Sequence, residues 1–136
     1  MIATTVLVVD ASAIAEMLLG TAKGRQVAMV IGSDHSLHAP DLLSLEIASV
    51  ARGLIRSGEI TVAEAEQVVI ELGALGIEFY EHLPFLPRVL QLRDNFIAYD
   101  AIYVALAETL AATLLTCDVK FGRSPAHRAA VRLVDG

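Results

Sequence analysis

The sequence predicts an α/β/α sandwich, three layers built on a four- or five-stranded, mainly parallel sheet. Three observations carry that prediction. Short β-branched runs alternate with longer helical ones along the whole chain, the pattern of strands joined by crossover helices. The runs TVLVV (5–9) and TLLTC (113–117) lack polar alternation, as strands covered on both faces do. A length of 136 residues suits one domain with a sizeable core, spanning 1–136.

Each element has a local reason. TVLVV reads as a buried strand that stops at Asp10. Ala11 to Leu19 reads as a helix ending near Gly20, and GRQVAMVIG (24–32) as a second helix. SLHA (36–39) is a short, weak strand. After Pro40, DLLSLEIASVARGLIRSG forms a helix stopped by Gly58, with Leu43, Ile47, Val50 and Leu54 as its buried stripe. TVAE (61–64) has the Thr-x-x-Glu form of a capping box and opens the next helix. IEFY (77–80) reads as a strand. Phe85 to Asn95 reads as a helix with Pro87 in its first turn, where the missing N–H costs nothing. DAIYVALAETLAA (100–112) is apolar nearly all round, hence a buried helix. VRLV (131–134) is the last strand. There is no internal repeat or low-complexity tract.

Composition narrows the class. Apolar residues make up 55% of the chain, more than usual for a globular protein. No uncharged run exceeds nine residues, whereas a membrane-spanning helix needs about 20. The first basic residue is Lys23, so the N-terminus lacks the charged flank of a signal peptide, and a cytoplasmic protein is expected. The apolar surplus predicts a face buried between subunits or under a partner. Cys117 is alone, which excludes an internal disulfide and a cysteine metal site. The net charge of −6 argues against a broadly basic nucleic-acid coat. Net charge is blind to clustering, however: four acids gathered on a cation leave only about −2 elsewhere.

Four acids fall where that clustering is expected. Asp10 and Asp118 follow the two most strand-like runs, and parallel strands put both carboxyl ends on one sheet edge, where ligands of such folds bind. Asp100 opens the helix that leaves that edge. The helix covers roughly 18–20 Å and the returning strand about 16 Å, so Asp100 and Asp118 finish at similar height. Glu46 lies about 70° from the centre of its helix's buried stripe, on the border of that face. Taken singly, each has an ordinary reading. Asp10 caps the following helix, Asp100 complements a helix dipole, Glu46 is a solvated border residue, and Asp118 belongs to a turn. Taken together, four like charges at one edge repel and desolvate one another unless a cation is bound.

The stretches VVDASAIAEML, APDLLSLEIASVARGLIRSGEIT, LRDNFIAYDAIYVALAETLAATLLTCDVKF and VRLV together resemble a PIN-domain ribonuclease, and more closely a VapC toxin of the VapBC toxin–antitoxin systems. The resemblance covers almost the whole chain in family order. It implies that Asp10, Glu46, Asp100 and Asp118 are the catalytic, metal-binding acids. Thr116 then matches the T-x-D hydroxyl, and Ser12 the serine of the opening motif. The segment CDVKFGRSPAH departs from the commoner family wording. The resemblance also implies a VapB-like antitoxin whose C-terminal segment covers the site, and a homodimer; exposed apolar positions on helices 42–57 and 61–72 are candidates for its face.

Carboxylate donors suit Mg²⁺ or Mn²⁺, and the expected reaction is metal-assisted hydrolysis of RNA phosphodiester bonds. The histidines at 35, 38, 82 and 127 are scattered and read as structural or exposed. Thr116 and Ser12 either position the carboxylates and metal waters or bond locally to backbone. Arg52 and Arg56 on the Glu46 helix, with Lys120, Arg123 and Arg128 after Asp118, are the cations available for RNA phosphates; each also reads as a solvated surface charge. Tyr99 and Tyr103, flanking Asp100, read as core packing residues. Two other classes compete. One is a phosphoacceptor receiver domain, whose opening strand also ends in aspartate but is normally followed by paired acids that this chain lacks. The other is a PIN-like interaction module without catalysis.

Overall fold

The computed structural model describes residues 5–123 and 127–135. Its elements run β1 (Thr5–Val9), α1 (Ala11–Leu18), α2 (Ala22–Ile31), β2 (His35–Pro40), α3 (Leu42–Arg56), α4 (Val62–Ala74) and β3 (Glu78–Tyr80). A short 3₁₀ turn (Leu83–Phe85) leads into α5 (Leu86–Gln91), α6 (Ala98–Leu110), β4 (Thr113–Thr116), α7 (Lys120–Arg123) and β5 (Ala130–Leu133). The five strands form one parallel sheet in the order β3-β2-β1-β4-β5, with helices on both sides. The predicted three-layer sandwich is therefore present, with five strands.

The sheet centre is dry. Val8, Val9, Leu114 and Leu115 are fully buried, and α6 buries every residue from Ala101 to Ala107. That burial explains why these segments carry no polar alternation. The edge strand β3 is short and mostly exposed, which limits unwanted pairing with other chains.

Strand order places the site. From β1 the chain builds β2 and β3 on one side, then crosses to build β4 and β5 on the other. The sheet thus has its switch point between β1 and β4, where a crevice opens beyond the carboxyl ends. Val9 pairs with Leu115 there, and the Asp10 N–H continues the ladder onto the Leu115 carbonyl at 3.2 Å.

Several boundaries differ from expectation. Helix α2 starts at Ala22, not at Gly24, because the Thr21 hydroxyl caps it by accepting from the Gly24 N–H at 2.9 Å. The buried row of α3 is Leu43, Ile47 and Ala51, while Val50 is 40% exposed. Relative to Leu43, Val50 lies about 20° to one side and Ala51 about 80° to the other, so the buried face is rotated toward Ala51 and away from Val50. The predicted capping box is present: Thr61 accepts from the Glu64 N–H, and the Glu64 carboxylate accepts from the Thr61 N–H. Helix α5 stops at Gln91, short of the predicted Asn95, and a run of turns follows.

Far from the crevice, Glu108 on α6 accepts two hydrogen bonds from Arg88 of α5, at 2.7 and 3.0 Å, and one from the Arg128 N–H at 2.8 Å. Hydrogen bonds from Arg88 outweigh burial and hold the Glu108 carboxyl below its usual range. The Arg128 backbone is thus anchored to Glu108, eight residues and about 12 Å along α6 from Asp100, while its guanidinium is exposed with Nε 4.0 Å from Glu108 Oε2. No helix among the described residues is long and apolar enough to cross a membrane.

Candidate active site

A cleft of about 360 Å³ opens at the switch point. Asp10, Glu46, Asp100 and Asp118 all line it, together with Ser12, Tyr103 and Lys120. Four separate segments of chain deliver the four acids: the end of β1, the second turn of α3, the first turn of α6 and the loop after β4.

Asp10 is the most enclosed, with 4% of its surface exposed. As the N-cap of α1 it accepts the Ala13 N–H at 3.1 Å. The Ser12 hydroxyl donates to both its oxygens, at 2.8 and 3.0 Å, and the Thr116 hydroxyl donates at 2.7 Å. The same cap that starts α1 thus fixes the orientation of the carboxylate. Burial pushes the Asp10 pKa up, hydrogen bonds from Thr116, Ala13 and Ser12 pull it partly back, and the Asp118 charge raises it further. Ser12 and Thr116 are themselves anchored. The Ser12 oxygen accepts the Cys117 N–H at 3.0 Å, and the Thr116 oxygen accepts the Asp118 N–H at 2.9 Å. One hydroxyl pair thus ties β1 to the loop carrying the last acid. Burial pushes the neighbouring Cys117 thiol up to about 11, leaving it inert as a nucleophile near neutral pH.

Glu46 is half-buried on the border of its helix. Its Oε1 accepts a short hydrogen bond from the Tyr103 hydroxyl. Burial raises its pKa; Tyr103 and Lys120 oppose the shift, and the Asp100 and Asp10 charges reinforce it. Tyr103 fulfils its predicted packing role, since its ring is buried, and has a second role that its reading as a core residue missed. The available signal was the i, i+3 spacing from Asp100, which puts both side chains on one face of α6. Tyr99 corrects the expectation of core packing. It is 64% exposed, because the first turn of α6 stands clear of the sheet edge beside exposed Ile97.

Asp100 and Asp118 share one cation. Lys120 Nζ lies 2.9 Å from Asp100 Oδ2 and 3.0 Å from Asp118 Oδ2. Asp118 Oδ1 also accepts the Lys120 N–H at 3.0 Å. Burial alone would raise the Asp118 pKa, but the amide and ammonium of Lys120 outweigh it, and the result is lowered. Among the described residues, no three His, Cys, Asp or Glu side chains converge on one ion-sized point. The acids instead divide between neutral donors and the lysine. Arg52 and Arg56 are exposed on α3, about 9 and 15 Å along the helix from Glu46, and do not line the cleft. The side chain of Arg123 lies outside the described portion of the chain. The histidines are structural: His38 bonds Tyr80 and Ser36, His82 accepts the Leu42 N–H, and His127 meets the Phe121 carbonyl.

The family model for the PIN domain matches residues 7–126. The chain is a PIN domain. Ribonuclease VapC12 of Mycobacterium tuberculosis is 34% identical over 128 residues, which span 94% of this chain and 98% of its own. Ribonuclease VapC9 of the same species is 36% identical over 114 residues, 84% of this chain and 87% of its own. Both identities place this PIN domain with the VapC ribonucleases. Among solved structures, PAE2754 from Pyrobaculum aerophilum has a TM-score of 0.69 at 20% identity, covering 93% of this chain and 83% of that one. VapBC2 from Rickettsia felis, bound to a DNA fragment from their promoter, has a TM-score of 0.66 at 11% identity, covering 95% and 98%. These two likenesses concern the fold. Family membership sets aside the receiver-domain alternative.

Proposed function

We propose that this PIN domain is a metal-dependent endoribonuclease, the toxin of a VapBC-type toxin–antitoxin pair, acting in the cytoplasm. The observation that carries the reading is the meeting of four carboxylates from four distant segments in one cleft at the switch point. The donor set fits Mg²⁺ or Mn²⁺: every acid in the cleft offers oxygen, and neither imidazole nor thiolate competes. Asp100 and Asp118 already turn toward a common cation position. Asp10, Glu46, Asp100 and Asp118 would hold the ion, directly or through water. The ion would make bound water a nucleophile near neutral pH and offset charge on the scissile phosphate.

The chain's own residues supply the rest. Ser12 and Thr116 keep the Asp10 oxygens in one orientation while leaving its charge uncompensated. Glu46, lining the cleft with its Oε1 fixed by Tyr103, is placed to hold a ligand water or to orient the attacking one. Arg52, Arg56 and Arg123 remain the cations proposed to meet RNA phosphates. An apolar groove lined by Leu19, Ile47 and Leu54 shares Ala15 and Val50 with the acid cleft. An antitoxin segment joining apolar side chains to an arginine would fit both. Leu45 on α3 with Val62, Val69 and Ile70 on α4 are exposed and compose the proposed homodimer face.

The test is incubation of total RNA with the purified protein, followed by mapping of the cut ends. Cleavage at defined sites is expected with Mg²⁺ or Mn²⁺ and should vanish in excess chelator. Undiminished cleavage in chelator would remove the metal from the mechanism, and intact RNA under all conditions would leave a non-catalytic interaction module. A second expected result concerns Tyr103. Tyr103→Phe keeps the buried ring but deprives Glu46 of its donor. Hydrogen bonds to charged groups contribute about 1.5–3 kcal/mol, so cleavage should fall roughly tenfold or more. The same lost bond should lower the melting temperature by several degrees, about 4 °C per kcal/mol, while the domain stays folded at assay temperature; unaltered cleavage would show that Glu46 needs no such support.

A further inference from the structure

We propose that Lys120 is a built-in counter-cation of the acid cleft, its ammonium holding the place between Asp100 and Asp118 from which a divalent ion must displace it. The inference rests on the metal reading above and adds a competitor supplied by the chain itself.

The geometry is specific. Asp100 comes from α6 and Asp118 from the loop after β4, and a single nitrogen joins them at 2.9 and 3.0 Å. Among the described residues, no other cation forms an ion pair with any of the four acids. The lysine is aimed there by its own backbone. Its N–H is fixed on Asp118 Oδ1 at 3.0 Å. Its ammonium lies 5.6 Å from the ring centroid of Phe121, which is buried against Phe96 at 5.8 Å. A placement so constrained differs from a lysine waving in solvent.

It is nevertheless removable. The Lys120 side chain is 46% exposed, against 17% for Asp100 and 34% for Asp118. The lysine is thus the most exposed of the three and lies on the solvent side of the pair. A divalent ion bound by both carboxylates would stand within a few ångströms of the ammonium, and that repulsion makes the two cations exclusive. Without the ion, Lys120 relieves the repulsion between the two carboxylates. With the ion, the side chain has open solvent to swing into.

The measurement is Mn²⁺ binding by calorimetry on the metal-free full chain. Wild type is compared with Lys120→Met, which keeps stem length without charge, and with Lys120→Gln as a second uncharged form. Arg93→Gln, remote from the cleft, controls for net charge. Both Lys120 variants should bind Mn²⁺ about tenfold more tightly, the scale of one or two partly exposed ion pairs. Arg93→Gln should stay within about twofold, as expected for a distant screened charge. Thermal melts check folding and give a second readout: metal-free Lys120→Met should melt below wild type and gain more from Mn²⁺. Equal or weaker Mn²⁺ binding by both Lys120 variants, with wild type binding normally, overturns the displacement and leaves the metal reading standing. Absence of Mn²⁺ binding in all four proteins overturns both.

Discussion

Asp10→Asn is expected to abolish RNA cleavage and, in the same molecule, to raise the melting temperature of the metal-free protein. The two effects share one cause. Asp10 is a buried carboxylate served by neutral donors only: the hydroxyls of Thr116 and Ser12 and the Ala13 N–H. An amide keeps an acceptor for the Ala13 N–H and for one hydroxyl, so the start of α1 survives. What disappears is the charge. Loss of outer partners of metal sites already costs about 10–100-fold in affinity or activity, so loss of a carboxylate proposed to hold the ion itself should cost about 100-fold or more. The stability arm follows from linkage. Burial, reinforced by Asp118, raises the folded pKa of Asp10 above its unfolded value. The folded state therefore binds the proton more tightly, and ionisation of Asp10 opposes folding once the pH exceeds the folded pKa. That opposition fades as the pH falls toward the unfolded value near 3.8. The amide variant should melt above wild type at neutral pH, by roughly 4 °C for about 1 kcal/mol in a domain of this size. The two melting curves should approach each other in acid. Retained cleavage would remove Asp10 from the chemistry. A variant less stable than wild type at neutral pH would show that the carboxylate's hydrogen bonds outweigh its burial.

How far the sequence reaches is visible residue by residue. β1 and β4 were legible because a strand covered on both faces has no room for polar residues, and an acid directly after each then falls on one edge. Asp100 followed from matching helix and strand lengths. Glu46 followed from helical period, which reports the face a residue occupies. The period does not report what stands opposite, so the Tyr103 hydroxyl on Glu46 stayed hidden behind a sound reading of its ring as core. Lys120 read as a phosphate contact for the same reason. Its partner Asp100 lies twenty residues earlier in the chain and becomes a neighbour only when β4 returns beside α6. Val50 and Ala51 exchanged roles because one residue's offset on a helix is 100° of rotation, and which row wins depends on where α1 packs. Tyr99 shows the opposite limit: composition places an aromatic inside, while the end of a helix can carry it past the sheet.

Gly24→Ala is expected to destabilise the fold by about 2–3 kcal/mol or more, although local propensity predicts the reverse sign. Gly24 sits in the first turn of α2, where alanine is the better helix former by about 1 kcal/mol. Propensity loses here because of what lies opposite. A Cβ built on Gly24 would fall 1.9 Å from the Glu16 carbonyl oxygen and 2.3 Å from the carbonyl carbon of α1. Those atoms are backbone, so no rotamer change relieves the clash and the two helices must move apart. Overpacking of this kind costs typically 1–3 kcal/mol, occasionally more, which exceeds the gain in propensity. The strain would reach the cleft, because the other end of α1 carries Ser12 and the Ala13 N–H that hold Asp10. Gly53→Ala at the start of the last turn of α3 supplies the comparison. Its Cβ would meet nothing within 4 Å, so propensity alone acts there and should stabilise by up to about 1 kcal/mol. Denaturant titration of both variants, with cleavage measured on each, separates the two cases. Opposite signs are expected from one chemical change. A Gly24→Ala protein as stable as wild type would mean that α1 and α2 do not meet at this glycine.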